Sequence, residues 1–265
     1  MAETKAATAS PQGAARIDLD ALRAKYRQER DRRIRSDGIG QFVELVGDYR
    51  GYIEDPDADD SDPRAPLDDD VAVLIVGGGW SGMVAAVRLT QAGVTDLRLI
   101  DNGRDFGGTW YWNRYPGVQC DIESYIYMPL LEETDYVPRE KYAFGDEIRT
   151  HAERVGRKFG LYERTLFQTQ LQALTWDDTA CRWRVRTNRG DSFTARHVVM
   201  ACGSLNRPKL PGIPGILDFK GKSFHTSRWD YDYSGGDTTG NLHKLADKRI
   251  ALIGTGASGI QVAPL

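Results

Sequence analysis

The chain has 265 residues, 40% of them hydrophobic and 28% charged, enough for the core of one or two globular domains and far from fibrous or disordered composition. A net charge of -3 gives no reason to expect nucleic acid as the main partner. The four histidines are scattered and Cys120, Cys181 and Cys202 form no CxxC pair, so no metal site and no redox dithiol is predicted.

Residues 1–17 read as a disordered tail, built from Ala, Ser, Thr, Pro and Gly with little to bury. That start lacks the apolar core of a secretory signal, and no window approaches the ~20 apolar residues needed to span a bilayer. With so few cysteines, the expectation is a cytoplasmic protein without a membrane span. Residues 18–70 read as a helical extension followed by an acidic linker. From Asp18 to Arg35 the pattern is helical, with Ile17, Leu19, Leu22 and Tyr26 able to share one side and Glu29 four residues before Arg33. Seven basic residues fall between Arg23 and Arg35, but Glu29 and Asp31 interrupt them, so a solvated helix face is expected rather than a nucleic-acid surface. Glu54 to Asp70 then carries nine acidic residues with Arg64 as its only base, the composition of a linker or wrapping arm.

Order begins at Val71. The unbroken run VAVLIV (71–76) predicts a fully buried strand, followed by a glycine turn and a helix with Met83, Val84, Val87 and Leu89 as apolar positions. LRLID (97–101) predicts a second parallel strand, and residues 145–160 a helix with Ile148, Val155 and Phe159 buried. FQTQLQAL (167–174), CRWRVRT (181–187) and DSFTARHVVMAC (191–202) read as three further strands, separated by turns at WDDTA and NRGD. KRIALIGTGASG (248–259) repeats the opening strand–glycine–helix design. The fold class is therefore α/β: a Rossmann-type dinucleotide-binding domain of parallel sheet plus small β-meander, then the start of a second.

Gly77, Gly79 and Gly82 fit GxGxxG, and Asp101 ends the next strand 19 residues beyond Gly82. Gly77 permits the tight turn, Gly79 lets backbone approach a pyrophosphate, Gly82 lets helix pack on strand, and Asp101 can accept from ribose hydroxyls. The helix start adds unpaired N–H groups and partial positive charge. Gly254, Gly256, Ser258 and Gly259 form a second such turn after IALI, which serves either a second dinucleotide or packing alone. Two dinucleotide turns suggest a flavin and a nicotinamide.

The stretch GGTWYWNRYPGVQCDIES, Gly107 to Ser124, puts Trp110, Tyr111, Trp112 and Tyr115 beside Asp121. Such aromatics can wall a flat ring from water, or simply pack as core beside an N-capping aspartate. This segment resembles the flavin site of Baeyer–Villiger monooxygenases, which insert oxygen next to a ketone. Phe219, Gly221, His225 and Trp229, with Asp230 next, match that family's fingerprint FxGxxxHxxxW followed by Pro or Asp. Ala201-Cys202-Gly203 with Pro208 and Pro211 is similar to its ATGxxxxPxxP element, Cys202 replacing threonine. The likeness covers about 71–265, and 18–70 resembles the extension of members that take bulky ketones. Trp229 leans toward the ketone branch over amine- and sulfide-oxygenating relatives, where Tyr is usual.

The resemblance implies FAD held through Gly77, Gly79, Gly82, Asp101, Gly108, Thr109, Trp110, Asp121 and Tyr127. It implies NADPH on the Gly254–Gly259 turn and along Gln119, Cys120 and Asp121. A small-molecule ketone and O2 would be the other reactants, the product an ester or lactone formed through a flavin peroxide. Asp121 would orient an arginine expected beyond Leu265, while His225 and Trp229 would shape linker motion. The implied segments are a FAD-binding domain at 71–215, an interdomain linker with the fingerprint at 216–247 and the beginning of an NADP-binding domain at 248–265. A lone strand IALI needs parallel partners, so the 265 residues are expected to be a fragment, inactive alone. The alternatives are an amine- or sulfide-oxygenating flavoenzyme and a non-catalytic flavin-binding remnant.

Overall fold

A computed structural model describes residues 17–58 and 64–265; the tail expected at 1–17 falls almost wholly outside the described residues. The chain divides into two units, Met1–Val43 and Glu44–Leu265. The first contains helix α1 (Leu19–Arg33), whose start is fixed by the Asp18 side chain accepting from the amides of Asp20 and Ala21 at 3.0 Å. Glu29 pairs with Arg32 and Arg33 one turn away, as the spacing predicts. The apolar stripe is not used: Ile17, Leu19, Leu22 and Tyr26 all remain exposed. Cap and ion pairs define this helix locally, and such exposed pairs add only ~0.5 kcal/mol each.

The second unit is organised by strand β1 (Asp70–Val76). It pairs in parallel with β2 (Leu97–Ile100) on one side and with the later strand β6 (Ser192–Met200) on the other. Between β1 and β2 runs helix α2 (Trp80–Gln91), and after β2 helix α3 (Gly145–Lys158). The short strand β3 (Thr165–Leu166), then β4 (Leu171–Asp177) and β5 (Arg182–Thr187), complete a six-stranded sheet ordered β3-β2-β1-β6-β5-β4. The β4–β5–β6 part is the antiparallel meander.

Unbroken apolarity in β1 follows from burial of both faces. Val73 and Ile75 pack with Met83 and Val87 of α2, Val155 of α3, Leu99 and Phe106. Leu74 and Val76 turn the other way, to Ile100, Val185, Phe193 and Ala195. Each fully buried Leu or Ile here stabilises by roughly 1.5–3 kcal/mol. In α3, Ile148, Ala152 and Val155 recur at i, i+4 and i+7, a single inward stripe.

Two expectations need correction. Residues 167–170 are not strand: Gln168 takes φ +50° and donates to Gly103 O at 2.8 Å, and Thr169 N donates to Asp101 O at 2.8 Å. These four residues fasten the chain to the end of β2, so β4 starts later and runs on to Asp177. The run 250–253 forms no strand; Ile250, Leu252 and Ile253 are exposed because nothing among the described residues pairs with them. The glycine turn after it and helix α4 (Ala257–Val262) nevertheless form. Among the described residues no helix is long and apolar enough to cross a membrane.

Candidate functional site: a dinucleotide cleft at the strand ends

The register places Val76, Ile100 and Met200 side by side at the carboxyl ends of β1, β2 and β6. The loops that follow converge on one cleft of about 170 Å³. Such crevices outside the strand ends are where open α/β sheets bind ligands.

Gly77, Gly79, Trp80 and Ser81 form the floor of this cleft. Gly77 has φ +119°, and a Cβ there would lie 2.3 Å from the carbonyl oxygen of Ala201. No side chain caps α2, whose Ncap is Gly79, so its first-turn N–H groups are left for a ligand. Gly108 closes over Gly79: a Cβ on Gly108 would stand 2.7 Å from Gly79 Cα. Two backbone turns thus form a narrow cradle that any side chain would fill.

Asp101 is buried at the wall. Its carboxylate accepts from Gly78 N at 2.5 Å and Gly103 N at 2.7 Å, which ties both glycine loops to β2. Burial raises its pKa and the two amide bonds oppose that. Each oxygen retains lone pairs to accept from hydroxyls.

The aromatic segment begins as one helical turn, Thr109–Trp112. A helical turn cannot aim successive side chains one way. Trp110 and Trp112 line the cleft with Thr109 and Tyr127, and Trp110 Nε1 donates to Tyr127 Oη at 2.8 Å. Tyr111 turns outward, donating to Asp55 Oδ2 at 2.6 Å, and Tyr115 donates to Gln261 Oε1 at 2.8 Å. Thus two of the four expected wall aromatics line the cleft. Ala201, Cys202, Gly203, Leu205 and Asn206 supply its third side.

Of the residues singled out in the sequence, Gly77, Gly79, Asp101, Gly108, Thr109, Trp110 and Tyr127 meet in this cleft. Gly82 lies beneath it, against Gly77 O. Gln119, Cys120 and Asp121 lie outside it, Gln119 and Cys120 against the helix that follows the second glycine turn and Asp121 near Tyr127. Gln119 O accepts from Gln261 Nε2 at 2.9 Å, and Val262 joins Trp110, Tyr115 and buried Cys120 in one apolar cluster. Asp121 is exposed and caps no helix; the next helical turn, Ser124–Tyr127, is preceded by Glu123. Gly254, Gly256, Ser258 and Gly259 form their own turn away from the cleft, with Ser258 against the Tyr115 phenol.

In the fingerprint, Phe219 is exposed and stacks near Gly221. His225 accepts from Ser227 N at 3.1 Å, and burial, then the Arg228 charge, lowers its pKa. Trp229 donates to Ser234 Oγ at 2.9 Å and packs against the aromatic cluster. Sequence reasoning passed over Arg228, which is 8% exposed with its guanidinium 4.2 Å over the Trp112 ring. Burial pulls its pKa down to about 10, opposed by the Asp55 carboxylate, so it stays charged at neutral pH. Its place between His225 and Trp229 sets it inside the fingerprint, but nothing in that stretch marks it for burial.

Residues 71–265 match the family model described as pyridine nucleotide-disulphide oxidoreductase. The chain is 53% identical over 246 residues to a Baeyer–Villiger monooxygenase of Streptomyces coelicolor, covering 93% of this chain and 41% of that protein. Its structure is similar to a polycyclic ketone monooxygenase from the thermophilic fungus Thermothelomyces thermophila, with TM-score 0.87, 41% identity, and 93% and 42% of the two chains covered. It is also similar to OTEMO in complex with FAD and NADP, with TM-score 0.66, 32% identity, and 76% and 37% covered. The chain thus spans about 40% of the length of the relatives it matches. The family's description names a disulphide chemistry, for which Cys120, Cys181 and Cys202 provide no closely spaced pair. The chain belongs to the pyridine nucleotide-disulphide oxidoreductase family and is a homologue of Baeyer–Villiger monooxygenases.

Proposed function

We propose that this chain carries the flavin site of a FAD- and NADPH-dependent monooxygenase that converts ketones to esters or lactones. The carrying observation is the single cleft into which the Gly77–Ser81 turn, buried Asp101 and the Gly108–Trp112 turn converge. In net terms ketone, O2, NADPH and a proton give ester, NADP and water. Bound FAD supplies the electron transfer and oxygen activation that side chains cannot.

Within that reading the residues have separate tasks. The open start of α2 and the Gly79–Gly108 cradle hold the pyrophosphate, since no side chain competes there. Asp101 accepts from the ribose hydroxyls. Trp110, Trp112 and Tyr127 keep water from the ring, and the Tyr127 hydroxyl, already accepting from Trp110, keeps its own proton to donate. Asp121, exposed and close enough to Tyr127 for its charge to be felt there, orients a cation carried elsewhere in a longer protein. The second turn, with Ser258 and the Gln119–Asp121 loop, receives the nicotinamide dinucleotide. Residues 71–215, 216–247 and 248–265 are then flavin domain, linker and the opening of the nicotinamide domain. The free cysteines fit a cytoplasmic setting.

The test is a purified full-length protein examined for the visible spectrum of bound flavin, then offered NADPH with a cyclic ketone or a thioether. Lactone is the expected main product. Sulfoxide without lactone would move the assignment to the sulfide-oxygenating branch, and a protein that takes up no flavin would refute it.

A further inference from the structure

The arm that precedes β1 is bound, group by group, to the back of the cleft wall. Arg228 is the centre of this contact. Its Nε donates to Glu54 O at 3.1 Å, its Nη2 to Ile53 O at 3.3 Å and Asn206 O at 3.5 Å, and its Nη1 to Ser227 O at 3.1 Å. The next arm residues continue the match. Asp55 accepts from Tyr111 Oη, and Asp57 pairs with Arg114, whose guanidinium lies 5.2 Å over the Tyr111 ring. Tyr52 and Ser223 hydroxyls bond at 2.7 Å. Trp112 stands between the cleft and Arg228, and Tyr111 meets its edge at 5.0 Å and 89°.

We propose that Arg228 is a positioning residue that clamps the outer face of Trp112 to the arm Ile53–Asp57, coupling closure of the arm to filling of the cleft by flavin. This rests on the flavin reading above. The chemistry requires arginine: a planar fork satisfies carbonyls from three chain segments while stacking on an indole, which the point charge of lysine cannot do at once. Without the arm, two of its carbonyl acceptors vanish and a buried cation is left short of partners. Trp112 and Asn206 both line the cleft and both touch Arg228, so a ligand that fixes either one also fixes the guanidinium. The coupling is reciprocal: an ordered arm raises flavin affinity, and flavin orders the arm.

The test measures FAD affinity and amide exchange across residues 49–57 in the full-length protein, with and without FAD. Wild type is expected to show slower exchange there when FAD is added. Arg228→Ala should weaken FAD binding by about tenfold or more and abolish that protection. Arg228→Lys should recover only part of both, and Asp55→Asn, which leaves Arg228 in place, should lose less in the same direction. Should Arg228→Ala fail to fold, Asp55→Asn and Arg228→Lys decide. A variant set with lowered melting temperature but wild-type FAD affinity and protection would reduce Arg228 to a structural residue and overturn the proposal. So would a wild type that binds FAD with no change in arm exchange. A wild type that binds no FAD would instead sink the flavin reading itself.

Discussion

The two glycine turns have nearly the same backbone and very different surroundings. Gly77 and Gly254 take φ +119° and +114°, and Gly79 and Gly256 both enter their helices extended, at φ/ψ -83°/-174° and -75°/-178°. Yet the first is locked between strands: Gly77 N donates to Ile100 O at 2.8 Å and Ala201 N to Val76 O at 2.8 Å. The second follows four residues that pair with no strand among the described residues, three of them exposed large aliphatics. The turn itself is therefore a local property of glycine spacing. A ligand site is not, because at the first turn it is made by neighbours: Asp101 from β2, Gly108 from the next loop, and Ala201–Gly203 after β6.

Removing that support should produce the largest effect. Asp191, with its side chain fully buried, receives Arg64 Nη1 at 2.5 Å and Nη2 at 2.6 Å, Thr187 Oγ1 and Leu67 N, and so fastens the approach to β1 to the meander. Asp191→Ala removes the carboxylate that pairs with Arg64 and accepts from Thr187 and Leu67, and should cost about 3–5 kcal/mol by denaturant unfolding, while amide exchange in α4 stays as it was. Equal loosening of both turns would mean the first is not specially held. Burial pushes the Asp191 carboxyl up, but hydrogen bonds from Arg64, Thr187 and Leu67 outweigh it and leave the pKa below its usual range. A depressed folded pKa contributes stability above the unfolded value, near ~3.9, that is lost as pH falls through the folded one. Asp191→Asn should therefore flatten the acid limb of the stability profile.

A direct comparison of the turns follows from their third glycines, each the third residue of its helix. A Cβ on Gly82 would lie 1.9 Å from Gly77 O, and one on Gly259 2.8 Å from Gly254 O. Gly77 cannot retreat, being bonded to β2 and crowded by Ala201, so Gly82→Ala should cost about 3 kcal/mol and flavin binding with it. Gly254 has open space around it and can yield. There the better helix propensity of alanine, worth ~1 kcal/mol, offsets the contact and Gly259→Ala should be nearly neutral. Equal losses in thermal unfolding would show that the second turn is as rigid as the first.

The same contrast explains what the sequence could reveal. The first turn was legible because every requirement lay in adjacent code: a run with both faces buried, three spaced glycines, and Asp101 ending the next strand. The strand expected at 250–253 had the same code but no strand beside it among the described residues, and a parallel strand is stable only inside a sheet. Tyr111 and Tyr115 could be identified as buried but not aimed, since their partners Asp55 and Gln261 lie 56 and 146 residues away. Arg228 was illegible for a similar reason. Its environment is assembled from residues 53, 54, 112 and 206, and no local pattern announces that a charged side chain will be enclosed.

The smallest expected effect concerns what holds the second turn in the absence of a sheet. Gln261 is the hinge of that contact: it accepts from Tyr115 Oη at 2.8 Å and donates to Gln119 O at 2.9 Å, while Gly117 lets the loop approach so closely that a Cβ would sit 2.9 Å from Gln261 O. Two neutral hydrogen bonds, neither deeply buried, are worth about 1–2 kcal/mol together. Gln261→Ala should speed amide exchange in Ala257–Val262 by the corresponding factor and leave flavin absorbance untouched, because no residue of α4 lines the cleft and the packing of Val262 in one cluster with the wall residue Trp110 is left in place. Changed flavin absorbance would mean that the two turns communicate through the Tyr115–Cys120 loop, and that the first turn's independence is only apparent.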